Sequence, residues 1–320
     1  MSFSILGTGS ALPAAIITND DLSRIVDTSD EWIRSRTGIG QRRVCTTETI
    51  TDLAYQAALT ALENSGCRAE ELNLIICATM TADDATPSMA CLLQQRLGAV
   101  CAAFDINAAC TGFLYAMDIA AAYFSRQPNQ KILIVGADAM SKAVDWQDRS
   151  TCVLFGDGAG AAVLGTGNDL LAIEIGASGN RSPLYAPAMA GNCPFRDNDA
   201  VQSPYLVMDG QEVFRFAVTA MAQTIDRVLQ KAGIAKESLT WILPHQANIR
   251  IIDAAIHRMK LPREICLTNI EQYGNTSAAC VAILLDESNR SGKLKKGDLL
   301  ALTAFGGGLT TGACILRWNK

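Results

Sequence analysis

Three residues of this chain have types that can do chemistry together: Cys110, His245 and Asn275. A thiol can attack a carbonyl carbon and carry an acyl group, and an imidazole and a carboxamide can both donate hydrogen bonds to a developing oxyanion. Cys110 stands within Phe104 to Ala122, where a short apolar run gives way to an alanine-rich helix-forming run. A helix N-terminus presents unpaired N–H groups and the positive end of its dipole. That setting predicts a lowered thiol pKa and thiolate near neutral pH. Taken singly, each residue has an ordinary explanation. The chain has eleven cysteines, and free cysteines are among the most buried and inert side chains. A histidine is more often structural, and an asparagine an ordinary turn residue.

The elements that must position these side chains follow from periodicity. Leu72 to Thr79 is a near-continuous apolar run, as expected of a strand buried on both faces, and helices are predicted over 49–65 and 88–97. Lys131 to Gly136 gives the next strand. In the second part, strand 239–244 leads to a helix over 248–259, a helix opens after Tyr273 to Cys280, and a strand covers 298–303. The order repeats, and the interval from strand to helix opening is about 36 residues in the first half and about 34 in the second. This predicts a duplicated α/β fold of stacked helical and sheet layers, divided into 1–167 and 168–320. Cys110 and Asn275 then fall at equivalent helix openings, and His245 just past a strand end, where α/β proteins gather site residues.

Composition bounds the function. With 320 residues, 49% hydrophobic and 18% charged, the chain can bury a large core. A formal charge of −5 argues against a general nucleic-acid binder. No signal peptide or membrane-spanning run is evident, and the cysteines are scattered without a Cys-x-x-Cys pair. With only two histidines, His245 and His257, no metal site is expected. A cytoplasmic protein with reduced thiols and no bound cofactor is the expectation.

Two glycine clusters are set aside as phosphate loops. Gly7-Thr8-Gly9 lacks a third glycine and a following helix, and Gly156 to Gly160 leads into a strand, which favours close backbone packing. Residues 178–204, rich in Gly, Pro, Asn and Asp, are too long for an ordinary connection and read as a channel-lining loop. Near the N-terminus, Thr28 or Ser29 can cap a short helix that carries Trp32 and Arg36 on one face, an aromatic and a cation suited to a purine and phosphates.

Several segments together resemble β-ketoacyl-[acyl carrier protein] synthase III: Asp105 to Phe113, Gly156 to Val163, Pro244-His245-Gln246-Ala247-Asn248, Gly274-Asn275-Thr276-Ser277, Phe305 to Gly308 and the Trp32/Arg36 segment. The resemblance runs nearly end to end in one order. It implies the thiolase-like fold, an α-β-α-β-α stack, in a homodimer. It also implies that Cys110 takes an acyl group from acyl-CoA, with the backbone N–H groups of Cys110 and Gly307 as the oxyanion hole. His245 and Asn275 would stabilise the enolate formed when malonyl-acyl carrier protein loses carbon dioxide. By the same resemblance Thr28, Trp32, Arg36, Arg149 and Asn248 would contact coenzyme A, and Arg215, Arg250 and Arg258 would receive the acidic carrier protein. A merely solvated charged face is the other account of those arginines.

Departures from the family bear on substrate. Acetyl-restricted members often place phenylalanine before the proline at 87, reaching the partner's acyl pocket, and here the residue is Thr86. A pocket wider than acetyl needs, taking medium or branched primers, is the expectation. A specialised ketosynthase or acyltransferase on the same scaffold is a second possibility, and a silent partner subunit a third, although such subunits usually lose the nucleophile. Hydroxymethylglutaryl-CoA synthases use a glutamate base, elongating synthases a second histidine, and chalcone-synthase relatives share Cys–His–Asn in motifs that fit less well.

Overall fold

The computed structural model describes residues 2–187 and 204–320. The first half builds strands β1 (Ser2–Ala11), β2 (Leu74–Ala78), β3 (Ala102–Ile106), β4 (Lys131–Ala139) and β5 (Asp157–Gly167) into one sheet of order β1-β5-β4-β2-β3. The second half builds β6 (Leu170–Asn180), β7 (Trp241–Pro244), β8 (Leu299–Gly306) and β9 (Gly308–Arg317) in the order β6-β9-β8-β7. A parallel bridge from Ile242 to Cys266 continues that second order by one position. Pairing directions agree as well. In both sheets the first two contacts are antiparallel, and the next is parallel.

Helices fill the layers by their apolar faces. α1 (Asp30–Thr37) is capped by Ser29, and α2 (Ile50–Ser65) by Thr49 in a capping box, with left-handed Gly38 and Gly66 closing their ends. α2 and α3 (Met89–Leu97) cover the outer face of the first sheet through Ala54, Ala57, Ala61 and Leu93 against Ile75, Leu133 and Val163. α4 (Gly112–Arg126) lies between the sheets, where Phe113, Met117 and Phe124 join Ile76 and Ile134 of one sheet and Leu302 and Leu316 of the other. α5 (Gly210–Ala232) and α6 (Ile249–Met259) cover the outer face of the second sheet through Ile225, Val228, Ile252 and Ile256, and α7 (Cys280–Arg290) completes the middle layer. The result is the expected five-layer stack.

Both glycine clusters serve packing. Gly7 and Gly9 lie inside β1, which runs on to Ala11, because α2 presses on the strand: a Cβ at Gly9 would stand 2.3 Å from the Ala57 carbonyl oxygen. The glycines from 156 to 160 serve packing as expected, with Gly160 set against Ala282 and Ile283 of α7. The centre of the 178–204 segment, 188–203, lies outside the described residues.

Gly136 on β4 lets the first sheet come close to the second-half helix opening, since a Cβ there would stand 2.4 Å from the Ala278 carbonyl oxygen. Both partners are backbone, so neither can yield cheaply. Gly136→Ala is expected to cost about 1–3 kcal/mol, read as a fall in melting temperature on the order of 2–6 °C. An unchanged melting temperature would show that the two layers can part at this point.

Candidate active site

Two helix openings meet between the sheets. Cys110 sits in a 3-10 turn (Ala109–Thr111) that runs into α4, and Asn275 precedes the matching turn (Ser277–Ala279) that runs into α7. The turns share their backbone form, for Ala109 and Ser277 both adopt positive φ, 46° and 51°. They also share an asparagine that accepts a hydrogen bond two residues on, Asn107 Oδ1 from the Ala109 N–H (3.2 Å) and Asn275 Oδ1 from the Ser277 N–H (2.9 Å). The openings are therefore equivalent as expected, with a sharper register: Asn275 corresponds to Asn107, and Cys110 to Ala278.

Each site residue is held by backbone geometry. Asn275 exchanges main-chain hydrogen bonds with Leu154 and Gly156, and a Cβ at Gly156 would stand 2.4 Å from the Tyr273 carbonyl oxygen. With Oδ1 engaged, the Asn275 amide N–H₂ is the end left for the cavity. His245 follows β7, its backbone N–H donating to the Thr303 carbonyl at 2.8 Å and its ring meeting Phe305 edge-on at 5.4 Å. The neighbouring Gln246 side chain locks the turn, donating to the Pro244 carbonyl and accepting from the backbone of Asn269 and Ile270. Cys110, His245 and Asn275 line one cavity of about 740 Å³, whose walls include Met80, Leu184, Leu206, Met208, Phe214 and Phe305. Gly306, Gly307 and Gly308 line it too, and a Cβ at Gly306 would stand 2.8 Å from the Cys110 backbone nitrogen.

Electrostatics correct one expectation. The Cys110 thiol is partly exposed to the cavity, and enclosure by the cavity walls pushes its pKa up to about 12 rather than down. Desolvation of a thiolate here outweighs the helix terminus, whose first turn is a 3-10 turn ahead of α4. Burial acts on His245 in the opposite direction, lowering its pKa to about 3 and keeping the imidazole neutral. Its Nδ1 is buried without a hydrogen-bond partner among the described residues.

The nucleotide-suited residues also converge. The Arg36 and Arg149 guanidiniums each lie 4.8 Å from the centre of the Trp32 ring. Arg149 donates to the Asp27 carbonyl at 2.8 Å, bringing in Thr28, whose hydroxyl is buried without a partner among the described residues. Asn248 caps α6, donates to the Arg36 carbonyl at 3.1 Å and lines the cavity, so it joins this cluster to the cavity. Arg215 and Arg250 are exposed beside Val213 and Ile251, which line the same cavity, and Arg258 is exposed two turns further along α6. Thr86 is exposed and outside this cavity. Among the described residues no group of His, Cys, Asp and Glu side chains is placed to hold a metal ion.

Comparison with known proteins agrees with the geometry. Residues 104–179 match the family model of 3-oxoacyl-[acyl-carrier-protein] synthase III, and 229–318 match the model of its C-terminal part. The β-ketoacyl-[acyl-carrier-protein] synthase III of Geobacillus kaustophilus is 47% identical over 325 residues, covering 100% of both chains. The chain belongs to the β-ketoacyl-[acyl-carrier-protein] synthase III family. The crystal structure of the synthase III from Aquifex aeolicus superposes with a TM-score of 0.91 at 48% identity, covering 99% of this chain and 100% of that one. The synthase III from Pseudomonas aeruginosa gives 0.93 at 39% identity, covering 100% and 99%. The fold is thus the thiolase fold of these synthases, and the chain is an acyltransferase of the condensing type.

Sequence reasoning missed three positioning residues. Asp138 is a fully buried carboxylate that follows the apolar run 132–137 of β4, and that incongruity was its visible signal. Gln246 was hidden inside the histidine motif, and Asn107 inside the cysteine motif.

The pH behaviour of His245 is testable. An unfolded histidine takes a proton near its ordinary value of 6.5, whereas folded His245 resists until about 3. The unfolded chain therefore binds the extra proton across that window, and stability falls as pH drops from 6.5 towards 3, by about 1.4 kcal/mol per unit from this residue. In NMR spectra the His245 ring signals, assigned with His245→Gln, should stay fixed from pH 8 to 5. A midpoint near 6.5 would contradict a dry, neutral imidazole.

Proposed function

We propose that the protein starts fatty acid synthesis by decarboxylative Claisen condensation of an acyl-CoA primer with malonyl-acyl carrier protein. The observation that carries this reading is the meeting of Cys110, His245 and Asn275 on one largely apolar cavity, in a chain whose relatives bear the synthase III name. Residues 1–167 supply the nucleophile and 168–320 the histidine–asparagine pair. Cys110 attacks the thioester carbon, the C–S bond to coenzyme A breaks, and the acyl group stays on Cys110. The backbone N–H groups of Cys110 and Gly307 receive the oxyanion, a contribution of about 3–4 kcal/mol in such sites.

Malonyl-acyl carrier protein then enters, and carbon dioxide leaves. The electron pair moves onto the thioester oxygen, which His245 and Asn275 hold by two hydrogen bonds. A neutral imidazole suits this role, because a cation would surrender its proton to the enolate and quench the carbanion. The carbanion attacks the Cys110 thioester and releases a β-ketoacyl product. No bound cofactor enters these steps; acyl-CoA is a substrate.

Thr28, Trp32, Arg36, Arg149 and Asn248 hold coenzyme A. The double guanidinium stack on Trp32 supports this, for it offers two cations to phosphates beside an aromatic platform. Arg215, Arg250 and Arg258 form the exposed basic face for an acidic carrier protein. The segment 178–204 walls the channel, a reading supported by Gly179, Leu184 and Tyr185 in the cavity lining. A homodimer is supported by the open edge of β3 and by Val100 beside it, 86% exposed. In that dimer Thr86 would act in the partner's acyl pocket, where a side chain smaller than phenylalanine leaves room for a primer longer than acetyl. The cytoplasm is the proposed location, in keeping with ten free cysteines among the described residues and no helix there long and apolar enough to cross a membrane.

Mass spectrometry after mixing with acyl-CoA should show an acyl adduct on Cys110 that Cys110→Ala abolishes. No adduct on the parent protein from any acyl-CoA would favour a silent subunit. Octanoyl-CoA should turn over at least as well as acetyl-CoA, and strict acetyl preference would refute the wide pocket. Trp32→Ala should raise KM for acyl-CoA about tenfold with little change in kcat, equivalent to a loss of about 1.4 kcal/mol of uniform binding; a normal KM would move the nucleotide site elsewhere.

A further inference from the structure

The two backbone N–H groups that receive the oxyanion come from different halves of the chain. Cys110 belongs to the turn ahead of α4, and Gly307 to the connection between β8 and β9. Both donors must point at one spot, and a misplacement of about 1 Å can lower a rate about a hundredfold. The Gly307 side is not fixed by its own sequence. Gly306, Gly307 and Gly308 follow one another without a side chain, and glycine has the most backbone freedom of any residue. The two halves also meet closely here, since a Cβ at Gly306 would stand 2.8 Å from the Cys110 nitrogen. A contact from outside the glycine run has to hold it.

Two buried hydroxyls supply that contact. Thr111 is next to Cys110 and fully enclosed, and Thr310, paired with Gly306 across β8 and β9, lines the cavity. Thr310 Oγ1 donates to the Gly307 carbonyl at 3.0 Å and lies 3.3 Å from the Ala108 carbonyl. Thr111 Oγ1 lies 2.9 Å from Thr310 Oγ1 and 2.6 Å from the Ala108 carbonyl. Each hydroxyl has one hydrogen to give. The Thr111 hydrogen is shared between Thr310 and Ala108, and the Thr310 hydrogen goes to Gly307, a three-centre arrangement common at helix ends. The 108–111 turn and the 307–310 turn are thereby joined, side chain to side chain, across the two halves. His245 and Asn275 are held otherwise, by main-chain bonds to Thr303, Leu154 and Gly156.

We propose that the Thr111–Thr310 hydroxyl pair is the clasp that sets the spacing of the two oxyanion donors. The inference rests on the reading above in which the Cys110 and Gly307 N–H groups receive the oxyanion. Thr111 fixes the Cys110 side through Ala108, and Thr310 fixes the Gly307 side through its carbonyl. Both are positioning residues, acting through the backbone that they hold. Buried hydroxyls are penalised when a partner is lost, so each end of the clasp keeps the other in place. Loss of the clasp leaves the thiol where it is and frees the glycine run to shift. Reactions of Cys110 that build an oxyanion then suffer, and reactions that build none do not.

The test compares two reactions of the same thiol. p-Nitrophenyl acetate acetylates Cys110 through a tetrahedral oxyanion, whereas iodoacetamide alkylates it by direct displacement. Thr310→Val and Thr111→Val remove one hydroxyl each at nearly constant shape, and Thr310→Ser keeps the hydroxyl. Acetylation, read as p-nitrophenolate release above a Cys110→Ala background, should fall about tenfold or more in Thr310→Val and about threefold or more in Thr111→Val. Thr310→Ser should restore it to within about twofold of the parent. Alkylation, read by peptide mass spectrometry with exposed Cys91 as internal reference, should stay within about twofold in every variant. With acyl-CoA, kcat should fall as acetylation does while KM stays within about twofold. Parent-like acetylation in both valine variants overturns the clasp. Acetylation and alkylation slowed together assign the effect to a general disturbance of the Cys110 turn and overturn it too. If Thr310→Val does not fold, Thr111→Val carries the same comparison. The ester needs no coenzyme A, so a protein that refuses every acyl-CoA would fail the proposed function and leave the clasp to be judged by acetylation against alkylation.

Discussion

The Asp138 carboxylate ties the site together. It lies on a strand of the first sheet, fully buried, and accepts hydrogen bonds from the loop after β2 and from Ala278 of the second-half helix opening. A buried carboxylate is costly unless its oxygens are satisfied, so removing any donor is penalised and the loops are held in one arrangement. That arrangement puts the 277–279 turn against the turn that carries Cys110. Gly136, two residues before Asp138, lets the same strand approach Ala278 closely. Packing and hydrogen bonding thus fix the same contact.

From that contact the rest of the site follows by local geometry. Two 3-10 turns with positive-φ residues open α4 and α7, and each is pinned by an asparagine two residues before the strained position. The duplication does not give two identical sites. At corresponding positions Cys110 faces Ala278, and Ala109 faces Ser277. One opening carries the Cys110 thiol, and the other carries a hydroxyl and the Asn275 amide. An internally symmetric scaffold supplies complementary halves of a single site because the substitutions at its paired openings differ.

Much of this was legible in the sequence. Strand and helix positions followed from apolar runs and caps, because Ser29 and Thr49 cap helices that Gly38 and Gly66 end, Asn248 caps α6, and Gly233 ends α5. The cysteine, histidine and asparagine were legible as a set only through the repeat and the family motifs. Charge was the part that spacing could not give. A helix opening forecasts an acidic thiol, but the forecast omits the desolvation that only packed neighbours create, and here desolvation prevails. Asp138 was visible as an odd residue in an apolar strand, yet its partners come from positions 79–81 and 278, which no local pattern connects.

The same dryness has opposite consequences for the Cys110 and His245 side chains. It makes Cys110 hold its proton and makes His245 refuse one. A site that relied on a standing thiolate–imidazolium pair would work against this burial, since separated charges are expensive in a poorly solvated cavity. Neutral resting partners avoid that cost and leave the imidazole free to donate to an enolate. They also require that charge appear only as bonds change, when preorganised donors can meet it without reorganising water. The apolar lining that admits an acyl chain therefore also selects the protonation states, and a change that wets this cavity should alter chemistry and chain-length preference together.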